Sequence, residues 1–100
     1  MIAKGCTCKN IFTLPFPESE IKALFITYRQ NKKNVFEKTL SDCEFGDGTV
    51  SVNLTQEDTL KLDDFREIQI QIRVRFSDGS ATKSNIVKTY ADEVLKNEVI

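Results

Sequence analysis

The longest run of strict alternation is Glu67–Phe76, EIQIQIRVRF. Its even positions, Ile68, Ile70, Ile72, Val74 and Phe76, are apolar, and its odd positions, Glu67, Gln69, Gln71, Arg73 and Arg75, are polar. A strand turns successive side chains to opposite faces, so this pattern gives one apolar face and one wet face. On a helix the same isoleucines would be spread around the circumference, and the period therefore decides for a strand. Branched and aromatic residues also suit a pleated, half-buried surface. At about 3.3 Å per residue the run spans roughly 33 Å, the upper end of ordinary strand length.

The same period recurs on both sides. Asn10–Phe16 places Phe12, Leu14 and Phe16 on one face, and Pro15, which cannot donate to a ladder, puts this first strand near an edge. Met1–Thr7 before it reads as a loose leader, with residues 1–9 as a flexible arm. Pro17–Glu20 is a turn. Ile21–Gln30 is a second strand, with Lys22, Leu24, Ile26 and Tyr28 sharing the expected core side. Phe25 falls on the other side, either as an ordinary exposed aromatic or as a contact for a partner. Asn31–Asn34 predicts a four-residue hairpin link of type I geometry. Val35–Thr39 follows as a strand with Phe36 inward. Ser41–Asp47 carries Cys43 and Phe45 on a short strand or coil, and Gly46-Asp47-Gly48 turns the chain.

Thr49–Leu54 alternates cleanly, with Val50, Val52 and Leu54 inward. Thr55 and Asp58 then have capping-box spacing, which predicts one helical turn near 55–60, with Leu60 and Leu62 closing the end of the core. After the central strand, Asp78-Gly79 is a strong hairpin signal. Ala81–Tyr90 is the last strand, and its poor alternation suggests a bulge or a change of exposure. Residues 91–100 form a short tail whose Val94, Leu95, Val99 and Ile100 need cover.

Strands every 10 to 15 residues, with turns between them and no long amphipathic helix, predict an all-β fold: an antiparallel sandwich of about seven strands over residues 10–90. An immunoglobulin-like or fibronectin-III-like sandwich fits best, without the Cys…Trp…Cys core of antibody domains, since the chain has no Trp. A small open barrel is the alternative.

Composition narrows function more than it defines it. One hundred residues make one domain, able to bury roughly 60–70% of its unfolded surface. The net charge of −1 argues against nucleic acid or an anionic membrane as the main partner. No apolar run approaches the about 20 residues of a membrane span. The opening residues lack the apolar core of a signal peptide. Histidine is absent, which removes the commonest general base and a common metal ligand.

Cys6, Cys8 and Cys43 could supply three zinc ligands, but in CxC spacing and without a fourth. Reduced thiols in or near strands are the plainer reading. The pairs Glu18/Glu20, Asp63/Asp64 and Asp92/Glu93 lie in turns or the tail, where solvated carboxylates are ordinary. Gly46-Asp47-Gly48 lacks the lysine and the strand-to-helix context of a phosphate loop. No cofactor, metal, catalytic residue or small-molecule substrate is implied. Arg73 and Arg75, with Gln69 and Gln71, form a polar stripe. It is either the solvated side of a sheet or a surface for a carboxylate, a glycan or a neighbouring subunit.

At FTLPF (Phe12–Phe16), IKALFITYRQ (Ile21–Gln30), NLTQEDTLKL (Asn53–Leu62), Ile68–Val74 and DEVLKNEVI (Asp92–Ile100), the chain resembles a family of small proteins. These are encoded in phages and prophages of Firmicutes, including those of gut clostridia. LTQEDTL, IQIQIRV and the closing EVL…VI are the most characteristic parts. The resemblance covers nearly the whole chain, leaving the leader with Cys6 and Cys8 unmatched. It implies a virion or virion-assembly protein made in the bacterial host cytoplasm, with a sandwich like those of tails, baseplates and capsid decorations. It carries over no catalytic motif.

Two functions follow as expectations. The first is a non-enzymatic structural subunit of a phage particle. Its partners would be other phage structural proteins or further copies of itself, met through strand edges and the tail residues Val94, Leu95, Val99 and Ile100. The second is a module binding a host-surface glycan or protein through Phe25, Arg73 and Arg75.

Overall fold

A computed structural model describes all residues, Met1–Ile100, and shows an antiparallel β-sandwich. The strands are β1 (Cys8–Thr13), β2 (Ile21–Gln30), β3 (Lys33–Thr39), β4 (Cys43–Gly46), β5 (Thr49–Leu54), β6 (Glu67–Phe76), β7 (Ala81–Lys83) and β8 (Val87–Tyr90). The one α-helical turn, α1 (Gln56–Leu60), joins β5 to β6. One sheet has the order β1-β5-β4, and the other has the order β3-β2-β6 with β7 and β8 both on the far edge of β6. In immunoglobulin terms β1 to β6 take positions B, C, C′, D, E and F, and β7 with β8 takes position G. Position A, beside β1, holds no strand.

The core lies where the periods predict. Ile68, Ile70, Ile72 and Val74 of β6 and Leu24, Ile26 and Tyr28 of β2 are all buried, as are Val50, Val52 and Leu54 of β5 on the opposing sheet. Burying each such side chain contributes about 1.5–3 kcal/mol. Phe16 and Phe76 meet edge to face at 4.9 Å, and Tyr28 stacks on Phe36 at 4.4 Å. Thr55 and Asp58 form the expected capping box, and Leu62 plugs the core beneath it.

Several local expectations change. The leader is anchored: Ile2 is buried, its N–H donates to the Tyr90 carbonyl at 2.9 Å, and its carbonyl accepts from Asp92 N at 3.1 Å. Main-chain bonds to a distant segment, invisible to local pattern, supply the order. Ala91 is also fully buried, so the packed body runs past residue 90.

The first strand is Cys8–Thr13, with Pro15 beyond its end; Phe12, Leu14 and Phe16 keep their inward parity. Lys22 leaves the core side because a bulge between Ile21 and Ala23 shifts the register there, and Ile21 goes inward instead. The β2–β3 link is a two-residue turn, with Asn31 and Lys32 both at positive φ (52° and 63°). This primed geometry matches the twist of the flanking strands, where type I would splay them. A second bulge, opposite Tyr28 and Arg29, restores the inward parity of Phe36.

The predicted last strand is split by the bulge its pattern suggested. Residues 81–83 and 87–90 pair with β6 one register apart. Between them Ser84 substitutes for ladder partners: its N–H donates to the Ile72 carbonyl at 2.8 Å and its hydroxyl accepts from Ile72 N at 3.0 Å.

Candidate docking surfaces

The outer face of the larger sheet is built by parity alone. Positions 23 and 25 of β2, 73 and 75 of β6, and 81 and 83 of β7 point outward on three adjacent strands. Phe25 lies directly opposite Arg73, and Arg73 opposite Lys83. In the next row Arg75 lies between Ala23 and Ala81. Strand spacing of about 4.8 Å brings these side chains into one block. Phe25 is 42% exposed. The small alanines leave a shallow groove of about 290 Å³ beside it, flanked by both arginines.

The charge on this face departs from that of the whole chain. Arg29, Arg73, Arg75, Lys83 and Lys88 face Glu37 and Glu67 only, whereas the chain carries −1 overall. Arg29 is satisfied internally: its Nε donates to Gln69 Oε1 at 2.8 Å and one terminal nitrogen binds the same oxygen. Lys88 approaches Glu67 at 3.9 Å. Arg73, Arg75 and Lys83 take part in none of the ion pairs. The uncompensated cations are therefore those around Phe25.

The tail residues lie elsewhere, at the end of the sandwich closed by α1. Asp92 fixes the base of the tail, accepting from Lys4 N at 2.8 Å. Val94 packs against Gly5, where any Cβ would come within 3.2 Å of Val94 Cγ2. Gly5 sits at φ 80°, a conformation suited to glycine. Farther out, the Gln56 side chain holds both backbone groups of Ile100, accepting from its N–H at 2.9 Å and donating to its carbonyl at 3.3 Å. The apolar side chains beyond Val94 remain in solvent: Leu95 is 93% exposed, Val99 57% and Ile100 86%. Phe25, Arg73 and Arg75 thus form one surface, and Leu95, Val99 and Ile100 belong to another. Val94 is part of the body.

Three of the paired carboxylates, Asp63, Asp64 and Asp92, have structural partners. Asp64 pairs with Lys4 at 2.7 Å, Asp63 accepts from Asn31 at 3.0 Å, and Asp92 anchors the leader. Cys8 and Cys43 lie on opposite sides of β5, while Cys6 is exposed. Burial and the Asp42 carboxylate push the Cys43 thiol up to about 11, and its Sγ–H donates to the Thr39 carbonyl at 3.3 Å. Burial, then Cys6 and Asp58, also raise Cys8. No three cysteine, aspartate or glutamate side chains converge in a metal-binding set.

Two surface residues escaped sequence reasoning. Lys83 joins the basic block, and the Asp78-Gly79 hairpin could have placed it opposite Arg73. Phe65 is 65% exposed and held at φ 55°, a costly conformation for a bulky side chain. Its N–H donates to the Ala91 carbonyl at 2.8 Å, which fixes that backbone. No local signal marks it.

Comparison of the chain with protein-family models, curated proteins and solved structures finds no match.

Proposed function

We propose that the chain is a non-enzymatic structural subunit of a bacteriophage particle. In this reading it docks through its open strand edges and its apolar C-terminal residues. The observation that carries the reading is the tail. The core closes without Leu95, Val99 and Ile100, yet Gln56 holds Ile100 against α1 and keeps the apolar side chains presented. Exposed aliphatic groups on a held segment are suited to burial against another chain. The vacant place beside β1 adds an edge of unpaired backbone groups, a natural site for strand addition. The sequence resemblance over LTQEDTL, IQIQIRV and EVL…VI supplies the phage context.

The test is mass spectrometry of purified particles from a host carrying the gene. The chain should appear at stoichiometric levels. A chain ending at Val94 keeps Asp92 and the Val94–Gly5 contact, so it should fold but be lost from particles. Absence of the full chain from particles, or normal incorporation of the shortened one, would refute the reading.

The second reading, a module for a host-surface glycan or protein, is favoured by one observation: Phe25 is grouped with Arg73 and Arg75 on an open face. Binding of the isolated domain to a glycan array, lost in Phe25→Ala and Arg73→Ala, would support it over the assembly role.

A further inference from the structure

We infer that the two surfaces are the two halves of one contact, and that the chain pairs head to tail with a second copy of itself. The tail and α1 end of one copy would seat on the Phe25 face of the next. This inference rests on the reading of the chain as an assembly subunit and names the partner of its tail.

The two surfaces are complementary in charge and polarity. One surface offers Arg73, Arg75 and Lys83, three cations outside every ion pair, around a half-exposed Phe25 and a groove floored by alanines. The other offers Leu95, Val99 and Ile100, all exposed, with Glu93 two residues before Leu95 and Glu57 next to the Gln56 that holds Ile100. Both carboxylates are exposed and in no ion pair, and against them stands one unpaired cation, Lys61 at the end of α1. Aliphatic groups would cover Phe25 while the carboxylates meet the arginines. Arginine suits that task, since its planar fork binds a carboxylate through two donors.

Within one copy the two surfaces lie apart, because the tail leaves β8 opposite Glu67, at the start of β6, whereas Arg73 and Arg75 lie toward its other end. One lies on the outer face of the larger sheet and the other at the α1 end of the sandwich. A contact between unlike patches is heterologous, and its repetition makes a ring or a filament. Charge across such a contact sets orientation and speeds encounter, and salt weakens it.

The test uses the full chain in native mass spectrometry and light scattering, from micromolar to millimolar. Three chains are compared: the parent, a face variant (Arg73→Glu with Arg75→Glu) and a tail variant (Leu95→Ser, Val99→Ser and Ile100→Ser). All substituted side chains point into solvent, so circular dichroism should show unchanged folds. The parent should associate beyond a dimer with increasing concentration, and each variant should need at least tenfold higher concentration. Mixed in equal amounts, the variants should form one-to-one pairs that stop there, because each retains one intact half. High salt should dissociate them.

A parent chain that stays monomeric to millimolar concentration overturns the inference. So does association that neither variant weakens, or a failure of the mixed variants to pair. Detection in purified particles of a chain that is monomeric alone would leave the assembly role standing and remove only self-pairing. Self-association of a chain absent from particles would do the reverse.

Discussion

Lys38 Nζ lies 2.6 Å from Asp58 Oδ2, joining the edge strand β3 of one sheet to the helical turn that leaves the other. Both side chains are mostly buried, at 15% and 13% exposure. Asp58 also accepts from Thr55 N at 2.9 Å, so one carboxylate serves both the cap and the inter-sheet tie. Burial pulls this carboxyl upward, but the Lys38 ammonium and the Thr55 amide and hydroxyl together hold it below its ordinary value.

A carboxyl lower in the folded state than in the unfolded chain stabilises the fold at pH above the unfolded value, about 3.9. That contribution is lost as pH falls through the lower folded value. Asp58→Asn should therefore flatten the acid limb of stability against pH. Lys38→Met should cost about 1–3 kcal/mol at pH 7, by leaving a largely buried carboxylate without its cation, and less once that carboxylate is protonated. Urea unfolding at pH 3 and pH 7 checks both. Equal cost at the two pH values would show that the pair contributes nothing.

Ile70 is 4% exposed at the centre of β6 and faces the opposing sheet. Ile70→Asp places a charge where it loses water and gains no partner. The loss should exceed about 4 kcal/mol, a large share of the 5–15 kcal/mol typical of a domain, and the variant should be largely unfolded by circular dichroism. Ile70→Val, removing one methylene, should cost about 0.5–1.5 kcal/mol. An Ile70→Asp protein that melts like the parent would mean the apolar side of β6 is not the core.

The central strand was legible because it is buried on one face and wet on the other, so period two is written residue by residue. Where the register shifts, the writing is ambiguous. Lys22 follows the parity of Leu24 in sequence and departs from it in space, because the bulge before Ala23 costs one step. The leader and the base of the tail were illegible for another reason. Ile2, Ala91 and Asp92 are ordered by backbone bonds between segments some 90 residues apart, and no local pattern records them. In the candidate surfaces, Phe25, Arg73 and Arg75 could be grouped from parity and register. Phe65 could not, since its backbone conformation is imposed by Ala91.

Phe65 offers a test in the unusual direction of gain. Its left-handed backbone costs a bulky residue about 1–2 kcal/mol, and glycine adopts it freely. The side chain is 65% exposed and contributes little packing. Phe65→Gly should leave stability unchanged or raise it by up to about 1 kcal/mol, the relief of strain being partly offset by a more flexible unfolded chain. Gly5→Ala should do the opposite, costing about 1–2 kcal/mol through its positive φ and its collision with Val94, and it should expose the tail to protease. Matched thermal melts and limited proteolysis separate the two. Destabilisation of similar size in both would mean that the Phe65 ring is needed for packing.

Tyr28 is fully buried, and its hydroxyl accepts from Asn10 Nδ2 at 2.6 Å. Burial raises its pKa strongly above the ordinary phenol value; the Asn10 bond lowers it by less, and Cys8, Cys43 and Asp58 add to the rise. The folded chain thus keeps the Tyr28 proton at pH values where the unfolded chain has lost it. Cys43, pushed up to about 11 by burial and Asp42, behaves in the same way from a lower starting point. A folded state that binds more protons than the unfolded one loses stability as pH rises. Decline should begin near pH 8.5, the ordinary value for a thiol, and steepen above about pH 10 as the phenol joins it. In Tyr90→Phe, which leaves Tyr28 as the sole tyrosine, phenolate absorbance should appear only together with alkaline unfolding. Cys43→Ala should shrink the earlier part of the decline, leaving the share of Cys8, whose thiol burial also raises, and should keep the later part. Ionisation of Tyr28 at ordinary phenol pH in a chain still folded by circular dichroism would place its hydroxyl in water and contradict the packing between the sheets.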